Sequence, residues 1–547
     1  MTYQICNTNG TIIPGMEEHD ESISVLELLD DSSLLHVLSF LPPRDIYTCK
    51  ELNRYSKDFY DRHEEEIWGL CLSRYFGIEK HKTLVHLGRR FGVGGDRVGR
   101  NLGMRFHEIC SKYGSIGYRM IRAWSSIYES VEQYAKPVAD TLLVPETAQG
   151  LRRFSGMFRA GFRRPMPMEL ECLYRVCGGQ RHGDEPMDPP LESNSKRLRI
   201  RMDIPHLPDF DESSEDAFQG IFPGMKVYHD EYSLSMLPLS GAMPLSILSM
   251  GRHGSRPKFM MAMNLSGSRY KDMFFDVESG QIQFDPRPGM PDGIDGVARD
   301  RRIFAPDKPR PAWYVSSKDE MRRVELNYPH YEEIVSSMGY DIHPVPPLVH
   351  WMECYALELE MQHIQYHPVP GDGVCMLWRF PLKGPECREC VTGSIEVKSS
   401  CVLAPHAIQC PSNELVWAYS IQMRLLSVEE QRERGVDPSE ILTVIRLRGR
   451  YWKITSANGV QEVQGGGVVG QYPVLREGGV AFEYQSYVSL RTMEHYANHD
   501  VPVEGRMEGH FTFANKLGRD QRPSAPMEAP IRAICPTMHL TFPDIVM

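Results

Sequence analysis

The 547-residue sequence lacks the features that would place it in a membrane, a secretory pathway or a nucleic-acid complex. No run approaches the roughly 18 consecutive apolar residues that a membrane-spanning helix requires. The beginning of the sequence has neither a basic n-region nor an apolar h-region, so no secretory signal is predicted. With 61 basic against 72 acidic residues, the net charge of -11 opposes attraction to phosphate backbones. We therefore expect no membrane contact, no nucleic-acid partner, and a location in the cytoplasm, the nucleus or both.

Cysteine is present, but its arrangement does not indicate a disulfide framework. Thirteen cysteines, an odd number, are scattered along a long chain, which suits a reducing compartment. Cys387 and Cys390, with Cys401 and Cys410 downstream, could be drawn as a four-thiolate zinc site. Cys401 and Cys410, however, are separated by eight residues and do not form the closely spaced cysteine pair of a zinc knuckle. We therefore favour unbridged thiols. We predict no metal and no other cofactor.

The sequence does contain enough chain for two or three domains. Its hydrophobic content of 41%, with 10% aromatic residues, is normal for packed globular protein. Three differently patterned regions occupy residues 23–75, 118–374 and 380–547, and an insertion at 183–216 mixes prolines with both charges. The order of helical, mixed and strand-rich patterns predicts a multidomain α+β protein.

The first region has helical periodicity. Leucines recur at helical spacing from residue 34 to residue 41, where two prolines end the helix. Apolar residues then continue through two further short helices that end near residue 72. Three short helices that together comprise about 45 residues bury too little surface to be stable alone, so this module needs a partner.

The leucine and proline pattern resembles the F-box, a helical motif that binds the Skp1 adaptor of SCF (Skp1, cullin, F-box) ubiquitin ligases. The pattern departs from the family at its start, because Leu29 is followed by Asp30 and not by proline. An ordinary helical hairpin with a proline corner is the alternative interpretation. The resemblance implies that the following residues contact Skp1: Leu34, Leu38, Leu41, Pro42 and Ile46.

The second region combines helices with strands. Trp124, Ile127 and Val131 have helical spacing, and the segment at 166–180 is typical of a helix that ends at a glycine turn. Apolar strands follow. The pattern resembles the SUKH, or SMI1/KNR4-like, fold, whose members are mainly interaction modules, and this implies a central α+β SUKH-like domain.

Three histidines lie near the helix predicted at about 348–364, namely His350, His363 and His367. They lack the pattern of acidic companions expected of metal ligands. We therefore predict hydrogen-bonded structural roles for them.

The third region has the alternation of strands. At 417–425 the large apolar residues fall on one face, whereas Ala418, Ser420, Gln422 and Arg424 fall on the other, so one face should be buried and the other wetted. Asn458-Gly459 lies between two apolar runs and predicts a two-residue hairpin turn in which both residues have positive φ. Several such short strands predict a β-sandwich.

Gly465, Gly467 and Gly470 have the spacing of a dinucleotide-binding fingerprint. That fingerprint requires a helix that begins at the third glycine. Pro473 disfavours such a helix, and strand patterning resumes by Val480, so we exclude nicotinamide and flavin binding on this ground. The glycines instead predict a tight turn and close backbone approach, with an anion-binding nest of N–H groups as the alternative.

The same glycines belong to a longer pattern that closely resembles the ApaG domain, a fibronectin-III-like sandwich. The sequence has W-x-I-x-x-x-x-G from Trp452, V-x-G-x-G-V-V-G-x-x-P from Val463, and G-x-M-x-G from Gly505. Either of two arginines could take the family's arginine position. The resemblance implies a candidate site for an anion or a partner on this loop, comprising Gly465, Gly467, Gly470, Arg448 and Arg450.

F-box-like, SUKH-like and ApaG-like segments in this order imply a substrate-recognition subunit of an SCF ubiquitin ligase, with no catalytic residue of its own. Its partners would be a Skp1-like adaptor, a cullin reached through that adaptor, and a protein target that the sequence does not name. The alternatives are a sensor of a small molecule or nucleotide built on the ApaG domain, and a scaffold that acts without Skp1.

Overall fold

The computed structural model contains helices first, then helices with strands, and finally a sandwich of strands. The insertion at 183–216 and Cys410 lie outside the described residues. The described residues are 29–50, 54–78, 87–88, 91, 97–180, 222–227, 230–236, 244–249, 258–264, 266–267, 271–277, 282–286, 331–368, 375–384, 387–404, 414–456, 458–491, 504–515 and 530–541.

The N-terminal module consists of α1 (Asp31–Ser39), α2 (Pro43–Lys50) and α3 (Arg54–Phe76), followed by the long α4 (Val98–Tyr134). The side chain of Asp30 caps α1 by accepting a hydrogen bond of 2.7 Å from the N–H of Ser33. This bond lowers the pKa of Asp30 below its usual value. Asp30 is thus the N-cap of the first helix, at the position where the F-box resemblance would have proline.

Helices α3 and α4 approach closely at a glycine. Trp68 is fully buried, and its indole N–H donates to the hydroxyl of Tyr60 at 2.9 Å. A Cβ on Gly103 would lie 2.1 Å from the Trp68 ring, so a larger residue would separate the helices. The Tyr118 hydroxyl adds a bond of 2.7 Å to the backbone carbonyl of Tyr75. The three-helix module therefore has a packing partner within its own chain.

Helix α4 is broken at Gly114, which has a φ of 55°. The N–H of Ser115 donates to the carbonyl of Asp341 at 2.8 Å, and a Cβ on Gly114 would lie 2.2 Å from that same oxygen. The predicted start of the second region, at residue 118, lies just beyond this break.

No helix in the described ranges is long and apolar enough to cross a bilayer. The helices that follow are α5 (Lys136–Asp140), α6 (Ala148–Phe162), α7 (Met168–Val176), α8 (Tyr331–Ser337) and α9 (Pro347–Glu360).

A buried ion pair joins α4 to α9. The Nε of Arg119 donates to Oε1 of Glu353 at 2.6 Å, and a second guanidinium nitrogen donates to Oε2. The two side chains are 9% and 3% exposed. Loss of either partner would leave a buried charge without this bidentate contact, and breaking a buried pair typically costs about 3–5 kcal/mol.

The middle region carries two sheets. One has the strand order β5-β2-β1-β9-β8 and the other has the order β3-β4-β6-β7. Strands β1 and β9 run parallel, whereas the other pairs are antiparallel. The strands are β1 (Phe222–Val227), β2 (Asp230–Met236), β3 (Pro244–Ser249), β4 (Lys258–Asn264), β5 (Ser266–Gly267), β6 (Lys271–Asp276), β7 (Ile282–Pro286), β8 (Gln365–Pro368) and β9 (Cys375–Trp378).

The C-terminal region is a sandwich of two antiparallel sheets, with orders β10-β11-β12-β16 and β14-β13-β17-β18, and β15 also pairs with β13. The short helix α10 (Val428–Glu433) connects β12 to the second sheet. Between the sheets, Trp452 of the second sheet meets Tyr419 of the first sheet edge to face, with ring centroids 6.2 Å apart. The strands are β10 (Cys387–Thr392), β11 (Ile395–Leu403), β12 (Glu414–Leu425), β13 (Val444–Ser456), β14 (Gly459–Gly465), β15 (Val474–Arg476), β16 (Phe482–Arg491), β17 (Glu504–Ala514) and β18 (Ile531–Thr541).

The predicted wetted face of β12 is covered over part of its length. Ala418 and Ser420 are 0% and 4% exposed, which corrects the expectation that this face meets water. On this face Ser420 donates to Glu483 of the neighbouring strand β16, and the same carboxylate bonds to His367 of β8 in the middle region. The inner face was predicted correctly, since all its large apolar residues are buried.

The hairpin between β13 and β14 occurs where Asn458-Gly459 predicts it. Ser456 pairs with Gly459 at the end of the two strands. Gly459 has a φ of 116°, so the positive φ expected at this residue is confirmed. Glycine suits this position because an L-residue would be strained at that φ.

Candidate partner-binding surfaces

The five residues expected to contact Skp1 divide into a buried set and a partly exposed set. Leu34, Leu38 and Ile46 are 1%, 5% and 0% exposed and belong to the chain's own core. In this arrangement they stabilise the helical module and are not available to another polypeptide. Leu41 and Pro42 are partly exposed. The Skp1 contact itself stays a prediction.

Two large apolar side chains that the sequence analysis did not select lie on the exposed side of α1. Val37 is 40% exposed and Phe40, which caps the helix, is 45% exposed. The Arg74 guanidinium lies 3.2 Å from the Phe40 ring centroid, and the Tyr75 hydroxyl donates to the Phe40 carbonyl at 2.6 Å. Val37 and Phe40 are three residues apart and do not belong to the buried leucine stripe. This spacing was the sequence signal that could have identified them as a second, exposed apolar face. We name Val37, Phe40, Leu41 and Pro42 the apolar corner.

The glycine motif forms a tight turn in place of a helix terminus. Val468 and Gln471 exchange backbone hydrogen bonds of 2.9 and 2.8 Å. The two residues between them, Val469 and Gly470, both have positive φ, at 48° and 73°. This is the geometry of a primed two-residue turn. The chain continues into strand β15, which confirms that no dinucleotide-binding helix follows.

The first two motif glycines permit close approach. A Cβ on Gly467 would lie 2.6 Å from the carbonyl oxygen of Gln471, within the same turn. A Cβ on Gly465 would lie 3.3 Å from the guanidinium carbon of Arg450, its partner across the strands. The turn therefore explains Gly467 and Gly470 without a ligand, whereas Gly465 lies on strand β14 beside the Arg450 side chain.

The two candidate arginines occupy different positions. The pairing of β13 with β17 is irregular between Leu447 and Gly449, so Arg448 is the extra residue of a bulge, and its side chain is exposed. Arg450 returns to regular pairing with Gly465 and Phe511. The structure therefore brings Arg450, and not Arg448, together with the first glycine of the motif.

Arg450 and Gly465 line an open cleft on the second sheet, with a volume of about 600 Å³. We name it the basic cleft. Strand pairing, and no local motif, brings its residues together, because Tyr451 pairs with both Gln464 and His510, and Thr512 pairs with Arg532. Its complete lining is Gly449, Arg450, Tyr451, Gln464, Gly465, His510, Thr512 and Arg532.

Aromatic and charged groups are adjacent in this cleft. The rings of Tyr451 and His510 are stacked, with centroids 5.3 Å apart. Burial, and then the nearby charge of Arg532, lowers the pKa of His510 below its usual value. His510 is therefore neutral near pH 7 and can act there as a hydrogen-bonding group. The sequence signal was only that polar residues, among them His510 and Thr512, occupy alternate positions of β17.

The cysteines and histidines give no metal cluster within the described residues. Cys387 and Cys390 are three residues apart on one strand, so they point to opposite faces of it. His367 Nε2 lies 2.9 Å from Glu483, and His363 Nδ1 lies 3.2 Å from Glu358. The His367 contact is of the hydrogen-bonded kind that was predicted, whereas the His363 contact is an ion-pair distance to Glu358.

The two-sheet arrangement, with its primed glycine turn and close-packed glycines, defines a compact antiparallel β-sandwich domain. Residues 407–515 match the family model of the ApaG domain. The Protein ApaG of Rhodospirillum centenum is 39% identical over 103 residues, which are 19% of this chain and 68% of that protein. The chain therefore belongs to the ApaG family through its C-terminal domain.

A second group of relatives is similar over the same region. Human F-box only protein 3 is 33% identical over 130 residues, which are 24% of this chain and 23% of that protein. The chain thus spans less than a quarter of the length of this relative. A solved structure from the Northeast Structural Genomics Consortium is 24% identical and covers 29% of this chain and 94% of its own, with a TM-score of 0.20. The F-box and SUKH-like resemblances of the first two regions stay predictions.

Proposed function

We propose that this chain is the substrate-recognition subunit of an SCF ubiquitin ligase. Its N-terminal helices bind a Skp1-like adaptor, and through that adaptor a cullin, whereas the SUKH-like and ApaG domains hold a protein target. The similarity of the ApaG region to F-box only protein 3 supports the proposal.

The observation that carries the proposal is the apolar corner. Val37 and Phe40 are exposed on a helix whose opposite face is sealed in the core. The contacts of Arg74 and Tyr75 hold Phe40 at the surface, so the corner presents a fixed shape to a partner. Burial of apolar surface stabilises a complex by about 25 cal/mol per Å², and little side-chain ordering opposes it at a fixed corner.

In this proposal the chain performs no covalent step. It brings the target close to a ubiquitin-loaded conjugating enzyme, so its contribution is local concentration and orientation. Such a subunit works in the cytoplasm, the nucleus or both, and needs neither a cofactor nor a metal.

The test is size-exclusion chromatography of the purified full chain with a purified Skp1-like adaptor at micromolar concentration. We expect the two proteins to elute together as a one-to-one complex, and a cullin N-terminal domain added afterwards to join them. Separate elution of chain and adaptor would contradict the proposal.

A further inference from the structure

Helix α6 of the middle region carries a concentration of positive charge. The segment 148–164, which comprises this helix and the two residues after it, contains five arginines and neither aspartate nor glutamate, although the whole chain has a net charge of -11. All five arginine side chains are exposed, namely Arg152, Arg153, Arg159, Arg163 and Arg164. This helix therefore presents a basic surface on an acidic protein.

The apolar side of the same helix is not available to a partner. Its large apolar side chains are each 6% exposed or less, namely Leu151, Phe154, Phe158 and Phe162. On another side of the helix, Arg152, Arg159 and Arg163 have the spacing i, i+7 and i+11, so they follow one another in a row along its length. We name these three residues the arginine row.

The stability of the helix does not explain the charges. Arg152, Arg153, Arg159 and Arg163 form no ion pair with the residues that the structure describes. No aspartate or glutamate lies three or four residues from any of them. Arg159 and Arg163 are four residues apart and repel each other, and the helix dipole favours arginine only near the C-terminal end. The charges are therefore free to act on another molecule.

Two backbone positions of this helix also lack a packing reason. Gly156 lies between Arg152 and Arg159, and a Cβ there would have nothing within 4 Å. Glycine inside a helix costs about 0.5–1 kcal/mol relative to alanine. Arg163 caps the helix with a φ of 55°, where glycine is favoured. The absent side chain at Gly156 leaves open space between two guanidinium groups, where an anionic group can lie.

The length of the arginine row fits a short polypeptide segment. Arg152 and Arg163 are about 16 Å apart along the axis at a rise of about 1.5 Å per residue. An extended chain covers that distance in about five residues at about 3.3 Å each. The negative charge of the whole protein opposes long polyanions such as nucleic acid and anionic membranes. Guanidinium groups bind carboxylates in a forked geometry, so a short acidic segment matches the row in charge and length.

We propose that the arginine row binds an acidic segment of a target polypeptide. One carboxylate of the segment lies over Gly156 between Arg152 and Arg159, and another contacts Arg163. This inference rests on the proposed function, because it names a class of target for the middle region. Its test does not require the adaptor.

The experiment measures fluorescence anisotropy of a labelled hexaglutamate peptide with the purified full chain, beside labelled hexaglutamine. We expect hexaglutamate to bind, more weakly as the salt concentration rises, and hexaglutamine not to bind. Arg152→Gln, Arg159→Gln and Arg163→Gln should each weaken binding by about two- to fivefold. Arg153→Gln removes the same charge from a different side of the same helix, and this matched control should bind like the wild type.

Gly156→Glu separates loss of the site from loss of the fold. The new carboxylate would occupy the gap, within reach of Arg152 and Arg159, so hexaglutamate binding should be abolished. Glutamate is a better helix former than glycine, so the variant should melt at the temperature of the wild type or above it.

Three outcomes would overturn the proposal. They are equal binding of hexaglutamate and hexaglutamine, undiminished binding of hexaglutamate by Gly156→Glu, and binding of a DNA oligonucleotide or of phosphatidylserine vesicles without binding of hexaglutamate. Titration of a Skp1-like adaptor into the same preparation tests the proposed function separately. A chain that binds the adaptor but not hexaglutamate would contradict this inference alone.

Discussion

The Nε2 atom of His367 lies 2.9 Å from Oε2 of Glu483 and joins a strand of the middle region to the first sheet of the sandwich. The same carboxylate accepts hydrogen bonds from Ser420 at 2.8 Å, from Gln485 at 3.0 Å and from Gln422 at 3.1 Å. Since Glu483 is 11% exposed, these donors depend on it more than on water. The two regions are therefore coupled through one carboxylate.

Glu483→Ala should destabilise the sandwich and the middle region together. The substitution leaves several partly buried donors without their acceptor, at a cost of about 1–3 kcal/mol. For a domain of this size, each kcal/mol corresponds to about 2–4 °C in Tm. Thermal melting of the full chain measures the change, and Glu477→Ala, at an exposed position nearby, is the control. Equal melting temperatures of both variants and the wild type would show that the hydrogen bonds to Glu483 contribute nothing to stability.

The motif glycines should differ in how far they tolerate alanine. At Gly470 a Cβ has open space, but the φ of 73° disfavours an L-residue by about 1–2 kcal/mol. At Gly467 the Cβ would collide with a backbone carbonyl, so the turn itself must move. We expect Gly467→Ala to lower the free energy of unfolding more than Gly470→Ala does, as measured by denaturant titration.

Gly156→Ala is the matched control for this pair. Gly156 lies within helix α6 with nothing near its Cβ position, so alanine should leave the stability unchanged or raise it by about 0.5–1 kcal/mol. If Gly467→Ala behaves like this control, the glycine turn does not require close approach.

Stability should depend on pH through the cap of α10. The N–H of Ser427 donates to Glu430 at 2.7 Å, and Arg424 donates to the same carboxylate. These bonds, the backbone one first, lower the pKa of Glu430 below its usual value of 4.5. A carboxyl group with a lowered pKa stabilises the fold above its usual pKa, and this stability is lost as the pH falls through the lowered value.

Glu430→Gln should therefore melt below the wild type near neutral pH, and the difference should shrink as the pH falls below 4.5. Melting curves across this pH range check the expectation. Glu433→Gln, at an exposed position at the end of the same helix, serves as the charge-matched control. A difference that stays constant with pH would contradict the assigned role of the carboxylate.

Much of the sandwich could be predicted because its strands are long and their alternation is local. The burial of Trp417 and Ile421 follows directly from that alternation. The burial of Ser420 could not be predicted, because its hydroxyl bonds to Glu483, which contacts His367 of β8, outside the third region. The basic cleft was equally hidden, since Tyr451 and Arg532 become neighbours only through strand pairing.

The sequence analysis did not predict that α4 packs against the N-terminal helices, for a related reason. The first part of α4 contains several glycines, which interrupt its apolar pattern as a loop would. One of them, Gly103, is the position that accommodates Trp68. The same local reasoning identified the leucine stripe of α1 correctly as one face, but it could not show that this face packs inside the chain.

The most direct test of the proposed docking surface is isothermal titration of a purified Skp1-like adaptor into the full chain and two valine variants. Val37→Asp places a charge on the apolar corner, whereas Val480→Asp places it at a position that is 99% exposed in the sandwich. Leu41→Asp with Pro42→Ala is less clean, because Leu41 also packs against the core. We predict that Val480→Asp binds like the wild type and that Val37→Asp weakens binding by about tenfold or more. Undiminished adaptor binding by Val37→Asp would contradict the account.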